Sequence, residues 1–368
     1  MKRIFAVTGT RADYGIYRPV FQAMTKSKKL TLELLVTGMH LLPEFGSTVE
    51  EIRADGLSVA AEVPTMTTED TLGSMAQYVG RTTVEFARIL AKEIPDAVFL
   101  LGDRGEQLAG AIAAKELRIP IIHLHGGEQT GSIDDPVRHA ITMMADVHCT
   151  TAPEHSKNVA RMRPESTSVH TVGAPALDVV YTLEPMDRGE LVKHAGFDPK
   201  LPILLFVQHP DTLEVRTPKD QIVPSIAALE GFSGNILIIG SNADAGGMQF
   251  NAALQAFASK RKNTAFRISI PHREFLSWHR VASVLVGNSS SGIIEAASAH
   301  LPVVNIGDRQ KGRLRSGNVI DVPYDRDAIR GAIAEATSIS FKDRIAGIRN
   351  AYGDGHAAEK IVKIMDSM

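Results

Sequence analysis

Short apolar runs alternate with longer amphipathic segments along the whole chain. Runs rich in Val, Ile and Leu predict strands at residues 4–8, 32–37, 97–101, 119–123, 147–150 and 170–172, and a second series at 203–207, 236–239, 266–270, 281–286, 303–306 and 319–322. Most runs are continuously apolar, which is typical of parallel strands covered on both faces. Helical patterns lie between them, for example at 74–94, 106–117, 248–260 and 292–299. This repetition predicts a doubly wound α/β fold.

A break in the pattern divides the chain. Pro185 and the charges around it interrupt the strand–helix repeat near residues 183–188. A length of 368 residues fits about two domains. We therefore expect two Rossmann-like domains, at 1–183 and 184–350, facing each other across a cleft. The remaining segment, 351–368, is expected to form a C-terminal helix that packs back on the first domain.

Composition excludes several classes of function. The 40 Lys and Arg residues nearly balance 42 Asp and Glu residues, so no general field attracts nucleic acid or an anionic membrane. No apolar run approaches the ~20 residues of a membrane helix, and the first strand is too short for a signal peptide. The single cysteine, Cys149, cannot form an intrachain disulfide, which fits a cytoplasmic protein. Its apolar neighbours favour a buried structural thiol.

Titratable residues are concentrated directly after the strand predicted at 119–123. Ligands of open α/β sheets bind beyond the carboxyl ends of the strands, so residues 123–138 are expected at an active site. Its candidate proton carriers are His125, Glu128, Asp134 and Asp135, and Arg138 could hold a carboxylate or phosphate. The two aspartates before Pro136 could instead cap a helix, and His123 is expected in the core. No metal is expected, because no His-x-x-x-His spacing occurs.

Two further candidates follow other strands. Asp103 lies just after the strand predicted at 97–101, where it would point into the cleft or cap the next helix. His209 follows the first strand of the second domain, within Gln-His-Pro, where the alternative is a turn ended by proline.

Glycine- and serine-rich turns predict anion binding. Residues 8–15 follow the first strand and contain Arg11, although Asp13 could simply cap the helix, and the Gly-x-Gly-x-x-Gly fingerprint is absent. Residues 286–295 offer hydroxyl and amide groups to a diphosphate, with a capping box as the alternative. There Glu295 could accept hydrogen bonds from a ribose. The other candidate nucleotide-binding residues are Ser289, Ser290, Ser291, Gly292, Asn242, His272 and Arg313.

As a set, these motifs resemble the UDP-N-acetylglucosamine 2-epimerases, and most closely their hydrolysing branch, which supplies N-acetylmannosamine or related sugars for sialic-acid-type nonulosonates. The resemblance covers nearly the whole chain and is carried by residues 9–15, 36–41, 102–104, 125–128, 138–142, 208–210 and 288–293. It implies the glycosyltransferase type B fold, no cofactor and a homodimer.

The resemblance also implies the reaction. The C2 proton of the sugar is removed while the nucleoside diphosphate leaves C1 by anti elimination, and water then adds at C1 while C2 is reprotonated from the opposite face. The substrate would be UDP-N-acetylglucosamine or a UDP- or GDP-linked 2-acetamido or 2,4-diacetamido sugar. By position, the catalytic residues would be Asp103, Asp134 and His209, and the nucleotide-binding residues Arg11, Ser290, Ser291, Gly292, Glu295 and Arg313.

One position departs from the family pattern. Some relatives carry a catalytic glutamate in a His-x-Glu motif, and that slot holds His125 here. We expect Glu128 to act as the second carboxylate, with Asp135 in reserve. The alternatives are a non-hydrolysing epimerase, a sugar transferase of the same fold, and a catalytically silent nucleotide-sugar binder.

Overall fold

Two separate units make up the structure, a computed structural model that describes residues 1–69, 71–131, 134–211, 214–241 and 246–368. Unit 1 comprises Met1–Gln129, residues 134–179 and Tyr352–Met368. Unit 2 comprises Thr130, Gly131 and Val180–Ala351. The division between Val179 and Val180 lies a few residues before the expected break.

Each unit contains one parallel sheet in the described part of the chain. In unit 1 the strand order is β3-β2-β1-β4-β5-β6-β7, and in unit 2 it is β10-β9-β8-β11-β12-β13. The strands are β1 (Lys2–Thr8), β2 (Leu30–Thr37), β3 (Val59–Val63), β4 (Ala97–Leu101), β5 (Ile121–Leu124), β6 (Val147–Thr150), β7 (Val169–Thr171), β8 (Ile203–Val207), β9 (Asn235–Ile239), β10 (Thr264–Arg267), β11 (Val284–Gly287), β12 (Val303–Ile306) and β13 (Val319–Val322).

Helices connect the parallel strands. They are α1 (Arg11–Met24), α2 (Val49–Ala54), α3 (Leu72–Glu93), α4 (Gly105–Glu116), α5 (Asp134–Met144), α6 (Pro153–Met162), α7 (Pro175–Thr182), α8 (Arg188–Ala195), α9 (Pro218–Leu229), α10 (Gly247–Lys260), α11 (His272–Val281), α12 (Ser290–Ile294), α13 (Arg326–Thr337), α14 (Ile339–Ile345) and α15 (Ala357–Ser367). None of those that the described ranges contain is long and apolar enough to span a membrane.

The central strands are apolar because both of their faces are buried. In β1, Ile4 and Ala6 belong to one hydrophobic cluster, whereas Phe5 and Val7 belong to another on the opposite face. Since successive side chains of a strand point to opposite faces, a continuous apolar run is what a sheet between two helical layers requires. The same division separates the clusters of unit 2. The predicted fold class of two doubly wound parallel-sheet domains is confirmed.

The structure differs from the sequence-based strands mainly at the sheet edges. No apolar run predicts β3, an edge strand in which only the last residue, Val63, is buried. At the other sheet's edge, β10 ends at Arg267 rather than at residue 270, and Ile268 is already 62% exposed. Edge strands bury less side-chain area, so hydrophobic patterning marks them weakly.

The C-terminal segment is anchored to unit 1. Its helix α15 contributes Ala358, Ile361 and Met365 to the cluster that also contains Ile4. Asp178 accepts hydrogen bonds from the backbone N–H groups of Ala357 and Ala358, at 2.9 and 2.7 Å. The carboxylate therefore satisfies free amides in the first turn of α15.

Acid sensitivity follows from a buried histidine of β6. The His148 side chain is fully buried, and neither ring nitrogen has a hydrogen-bond partner within the described residues. Burial, reinforced by the charge of Arg163, lowers the pKa of His148 to about 4. The unfolded chain binds this proton at about pH 6.5. Stability is therefore expected to fall as the pH drops from 6.5 toward 4, because over this range the unfolded state binds more protons.

We predict that His148→Leu reduces the pH dependence of the free energy of unfolding between pH 6.5 and 4 by about 1.4 kcal/mol per pH unit. Urea unfolding at pH 6.5 and pH 4.5 measures the difference. His194→Gln, which changes an exposed histidine near the end of α8, should keep the slope of the parent protein. An unchanged slope in His148→Leu would contradict the prediction.

Candidate active site

Polar residues of unit 1 meet where neighbouring parallel strands end. Strands β1, β4, β5 and β6 are adjacent in the sheet, and each is followed by polar groups. Because parallel strands end at a common edge, these groups are brought together. The groups that follow β4, β5 and β6 are joined by a chain of contacts that begins at Asp103 and ends at His155.

Asp103 is held by the guanidinium of Arg138. Gly102 adopts a positive φ of +69° after β4, and its N–H donates to the carbonyl of Leu124 over 2.9 Å. This turn presents Asp103, whose side chain is 22% exposed, to a hydrogen bond from Arg138 Nη2. Arg138 itself is buried in α5. An ionised pair of this kind fixes the carboxylate while leaving part of it accessible.

Glu128 lies deeper than Asp103. Its side chain is 1% exposed, and its Oε1 accepts from the hydroxyl of Thr151 at 2.6 Å. The same oxygen lies 2.8 Å from Nδ1 of His125, and Oε2 lies 3.6 Å from Nη1 of Arg138. The structure thus joins Asp103, Arg138, Glu128 and His125 into one cluster, with the glutamate on its buried side.

Glycine is required in the turn between His125 and Glu128. Gly127 has a φ of +75°, and a Cβ placed there would lie 2.4 Å from the backbone oxygen of His155. His125 itself has a φ of +65°, a region that only a few non-glycine residues occupy. Its N–H donates to the carbonyl of Cys149 at 3.1 Å. The turn is therefore pressed against the segment that follows β6.

Two members of the cluster, Thr151 and His155, were not predicted from the sequence. The Thr151 hydroxyl donates to Glu128, so its oxygen is left to accept from His155 Nδ1, which is 2.8 Å away. Both side chains are buried. They follow β6, whose carboxyl end shares the edge of β5, and applying the strand-end rule to β6 would have found them.

His123 has a structural role. The side chain is fully buried, with Nε2 2.8 Å from the carbonyl oxygen of Gly102 and Nδ1 3.2 Å from Thr142 Oγ1. Burial lowers the pKa of His123 to about 3, so the imidazole is neutral at pH 7. It is a core histidine, as the sequence predicts.

The turn after β1 is organised by Asp13. Its carboxylate accepts from Thr8 Oγ1 at 2.5 Å and from the N–H groups of Gly9 and Thr10 at 3.0 and 3.2 Å. The backbone N–H of Asp13 in turn donates to Thr10 Oγ1, which completes a capping box. This matches the capping alternative for Asp13. Arg11 points away from the cap: its side chain is 60% exposed and its Nε lies 3.3 Å from Glu51.

His40 is not among the predicted site residues, although it lies within the family motif at residues 36–41. It is fully buried, with Nε2 3.0 Å from Thr8 Oγ1 and Nδ1 2.7 Å from Thr48 Oγ1. It therefore completes the hydrogen bonding of the Asp13 turn. Its place after β2, which neighbours β1, also predicts a position at this edge of the sheet.

In unit 2, His209 is fixed through its backbone. Asn288 accepts from the His209 N–H at 2.7 Å, and its amide nitrogen donates to the His209 carbonyl at 2.8 Å. The ring Nδ1 lies 3.3 Å from Ser241 Oγ. Burial, with the charge of Arg309, lowers the pKa of His209 to about 3. The ring is therefore neutral at pH 7. Asn288 lies in the family motif at residues 288–293, but its clamping role depends on the pairing of β8 with β11.

The serine-rich turn after β11 leads into a short helix. α12 spans only Ser290–Ile294 and is followed by a 3₁₀ turn at Ala296–Ala299, so the single helix predicted at 292–299 is wrong. Ser289 caps α12 by accepting from the Ser291 N–H at 3.3 Å. Ser291 Oγ lies 3.2 Å from Nε2 of the buried His279. Gly292 lets the helix approach β12, since a Cβ there would lie 3.0 Å from Val303.

Glu295 is an ionised acceptor at the end of α12. Its side chain is 12% exposed, and Oε1 lies 3.7 Å from Nε2 of His272, which is 48% exposed. Burial alone would raise the pKa of Glu295, but hydrogen bonding and charge from His272, together with His279 and Ser291, lower it below its usual value. A carboxylate that stays charged at neutral pH can accept from hydroxyl groups.

The basic loop after β12 is tied to the same turn. Arg309 Nη1 and Gln310 Nε2 donate to the Asn288 carbonyl at 3.2 and 3.1 Å. Arg313 is half-buried, and its backbone N–H donates to the Gln310 carbonyl at 3.2 Å. The loop therefore lies beside the Ser289 turn.

The other predicted residues are less defined. Asp134, which is exposed, and Asp135, which is half-buried, occupy the first turn of α5, and Ser290 is half-buried in α12. Asn242 lies outside the described residues. Across the described ranges, no three His, Cys, Asp or Glu side chains form a group that could hold a metal ion.

The two doubly wound units define the class of protein, one with the glycosyltransferase type B-like fold. A UDP-N-acetylglucosamine 2-epimerase of Neisseria meningitidis, solved with UDP-N-acetylglucosamine bound, aligns with a TM-score of 0.85 at 16% identity, covering 100% of both chains. At that identity the likeness concerns the fold alone.

Sequence comparisons identify the family. The family model for UDP-N-acetylglucosamine 2-epimerase matches residues 22–366. The hydrolysing UDP-N,N'-diacetylbacillosamine 2-epimerase of Legionella pneumophila is 38% identical, covering 100% of this chain and 96% of that protein. The hydrolysing GDP/UDP-N,N'-diacetylbacillosamine 2-epimerase of Campylobacter jejuni is 31% identical, covering 87% and 84%. The chain belongs to the UDP-N-acetylglucosamine 2-epimerase family.

The predicted family is therefore confirmed. The two curated relatives also support the predicted reaction class, that of hydrolysing nucleotide-sugar 2-epimerases, over the non-hydrolysing and transferase alternatives.

Proposed function

We propose that this protein converts a nucleoside-diphosphate-linked 2,4-diacetamido sugar into the free C2-inverted sugar and the nucleoside diphosphate. The observation that carries the proposal is the cluster at the strand ends of unit 1, in which Arg138 joins the accessible Asp103 to Glu128. The choice of a diacetamido sugar follows the substrates that the names of the Legionella and Campylobacter relatives state. UDP-N-acetylglucosamine is the second candidate, because the same C2 chemistry applies to it.

The reaction needs proton transfer at C2 and at the water that attacks C1. In the elimination, a base removes the C2 proton, the C2–H electrons form the C1=C2 bond, and the C1–O electrons leave with the diphosphate. In the hydration, an acid protonates C2 from the opposite face with the C1=C2 electrons, and water adds to C1 while a base takes one of its protons. We assign Asp103, Asp134 and His209 to these transfers, and Glu128 belongs to the same cluster as the second carboxylate. Arg138 supports the group by fixing Asp103.

The nucleotide is assigned to residues of unit 2 and to Arg11. Ser289, Ser290, Ser291 and Gly292 would meet the diphosphate with hydroxyl and amide groups, and Glu295 would accept from the ribose. Fixed positive charge on the departing diphosphate stabilises the transition state, and we assign Arg11 and Arg313 to this role. His272 and Asn242 complete the proposed set. The five-residue α12 offers only a weak helix dipole, so side chains carry more of the binding.

We further propose that the protein works in the cytoplasm as a homodimer that supplies nonulosonate synthesis. The one cysteine, Cys149, is buried, and burial raises the pKa of its thiol to about 12. Such a thiol is inert, which suits a protein of a reducing compartment. The dimer and the pathway rest on the family resemblance.

Product analysis tests the proposal. The protein is incubated in D₂O, without a sugar acceptor, with UDP-N-acetylglucosamine and with UDP- and GDP-linked 2,4-diacetamido sugars. We expect nucleoside diphosphate and a free C2-inverted sugar that carries one deuterium at C2, with the diacetamido substrates turned over fastest. A product that stays attached to the nucleotide would indicate a non-hydrolysing epimerase. Turnover only with an added acceptor would indicate a transferase, and binding without turnover a silent binder.

We predict that Asp103→Asn lowers kcat by on the order of a hundredfold or more, because the amide cannot exchange a proton at its oxygen. The affinity for UDP should change little, since Asp103 is not assigned to the nucleotide. Steady-state kinetics and calorimetric UDP binding measure the two effects. Asp327→Asn is a matched control, because that exposed aspartate pairs with Arg326 on the surface. Near-normal turnover in Asp103→Asn would remove it from the catalytic set.

For Glu295→Ala we predict the opposite of Asp103→Asn: weaker UDP binding with a smaller effect on kcat. A hydrogen bond to a charged group contributes roughly 1.5–3 kcal/mol, so the Kd for UDP should rise about tenfold to a hundredfold. The kcat at saturating substrate should change less. Glu335→Ala, at an exposed position of α13, provides the control. An unchanged Kd would exclude Glu295 from the ribose site.

A further inference from the structure

His125 has the geometry of an oriented proton acceptor. Its Nδ1 lies 2.8 Å from Glu128 Oε1, which places an Nδ1–H donor against the carboxylate, and in that tautomer Nε2 is the acceptor nitrogen. A ring whose tautomer is set by a carboxylate behind it is the arrangement that activates a histidine base. The ring is 6% exposed, and the hydrogen bond leaves Nε2 as its reactive atom.

Nε2 of His125 is unsatisfied. Within the described ranges it is a buried atom with no hydrogen-bond partner. A buried polar atom without a partner costs about 1–3 kcal/mol, and a catalytic role is one of the recognised explanations for such an atom in a folded protein. The backbone of His125 adds to this cost through its φ of +65°. Two local costs at one residue indicate that its position is held for function.

Glu128 is built to hold His125 rather than to meet a substrate. Its Oε1 is shared between Thr151 and His125, and its Oε2 faces Arg138 at 3.6 Å. Both oxygens of the carboxylate thus face groups of the protein, whereas Nε2 of His125 has no partner among the described residues. An imidazolium that formed at His125 would lie directly against this negative charge, which would stabilise it.

We propose that His125 is a catalytic base of the epimerase and that Glu128 is its positioning residue. The inference rests on the proposed function. In the elimination, Nε2 takes the C2 proton of the sugar, the C2–H electrons form the C1=C2 bond, and the C1–O electrons leave with the nucleoside diphosphate. Arg138 joins Glu128 to Asp103, so the two proton carriers share one buried support.

The first test replaces His125 with residues that its backbone tolerates. Asparagine and glycine both accept a positive φ, so His125→Asn and His125→Gly should fold. We expect kcat to fall at least about a hundredfold in both variants, with KM changed less than about threefold. Added imidazole should restore the activity of His125→Gly at least about tenfold, because it can fill the space and accept the proton. His194→Asn is the matched control, because that histidine is exposed.

The second test separates the two roles. If Glu128 acts through His125, the double variant His125→Asn with Glu128→Gln should be no slower than His125→Asn alone. If Glu128 contacts the substrate itself, the two losses should multiply, and the proposed positioning role would be overturned. UDP affinity and thermal unfolding of each variant show whether it is folded.

The outcomes distinguish this inference from the function on which it rests. A parent protein that releases no free sugar from any tested nucleotide sugar would overturn both. A parent that turns over normally, with near-normal kcat in His125→Asn or no imidazole rescue of His125→Gly, would overturn only the role of His125.

Discussion

A carboxylate that water barely reaches organises the candidate site of unit 1. Glu128 is 1% exposed, and a buried charge without partners costs several kcal/mol. Its partners come from three places: the turn after β5, the segment after β6, and helix α5. The contacts of Glu128 therefore hold the turn, the segment and the helix in fixed positions relative to one another. Because Arg138 also reaches Asp103, the accessible carboxylate depends on the buried one.

Unit 2 reaches its geometry by a different constraint. The ends of β8 and β11 approach so closely that a Cβ on Gly287 would lie 1.9 Å from the Val207 oxygen. Asn288 then clamps the backbone of His209 on both sides. Backbone contact, rather than a buried ion pair, sets the position of this histidine. Because the His209 ring is neutral at pH 7, its burial requires no charged partner.

Much of the fold could be predicted because burial on both faces of a parallel sheet leaves a continuous apolar run. The prediction failed where burial is partial, at β3 and at the end of β10. It also failed at α12, where a five-residue helix and a 3₁₀ turn replace one longer helix. The strand-end rule located Asp103, His125 and Glu128. The same rule applies to Thr151 and His155, which follow β6, but only their contacts with Glu128 and with each other show their role.

The sequence by itself determined the strand–helix order, the class of fold and the turns that carry polar groups, since these depend on local hydrophobic pattern and on glycine positions. Only the tertiary structure decided which of those groups meet. Glu128 and His125 are three residues apart, and no pattern states that the carboxylate faces inward against Thr151 and Arg138, or that one imidazole nitrogen has no partner among the described residues. That division depends on packing between β5, β6 and α5, and it is therefore a property of the folded chain.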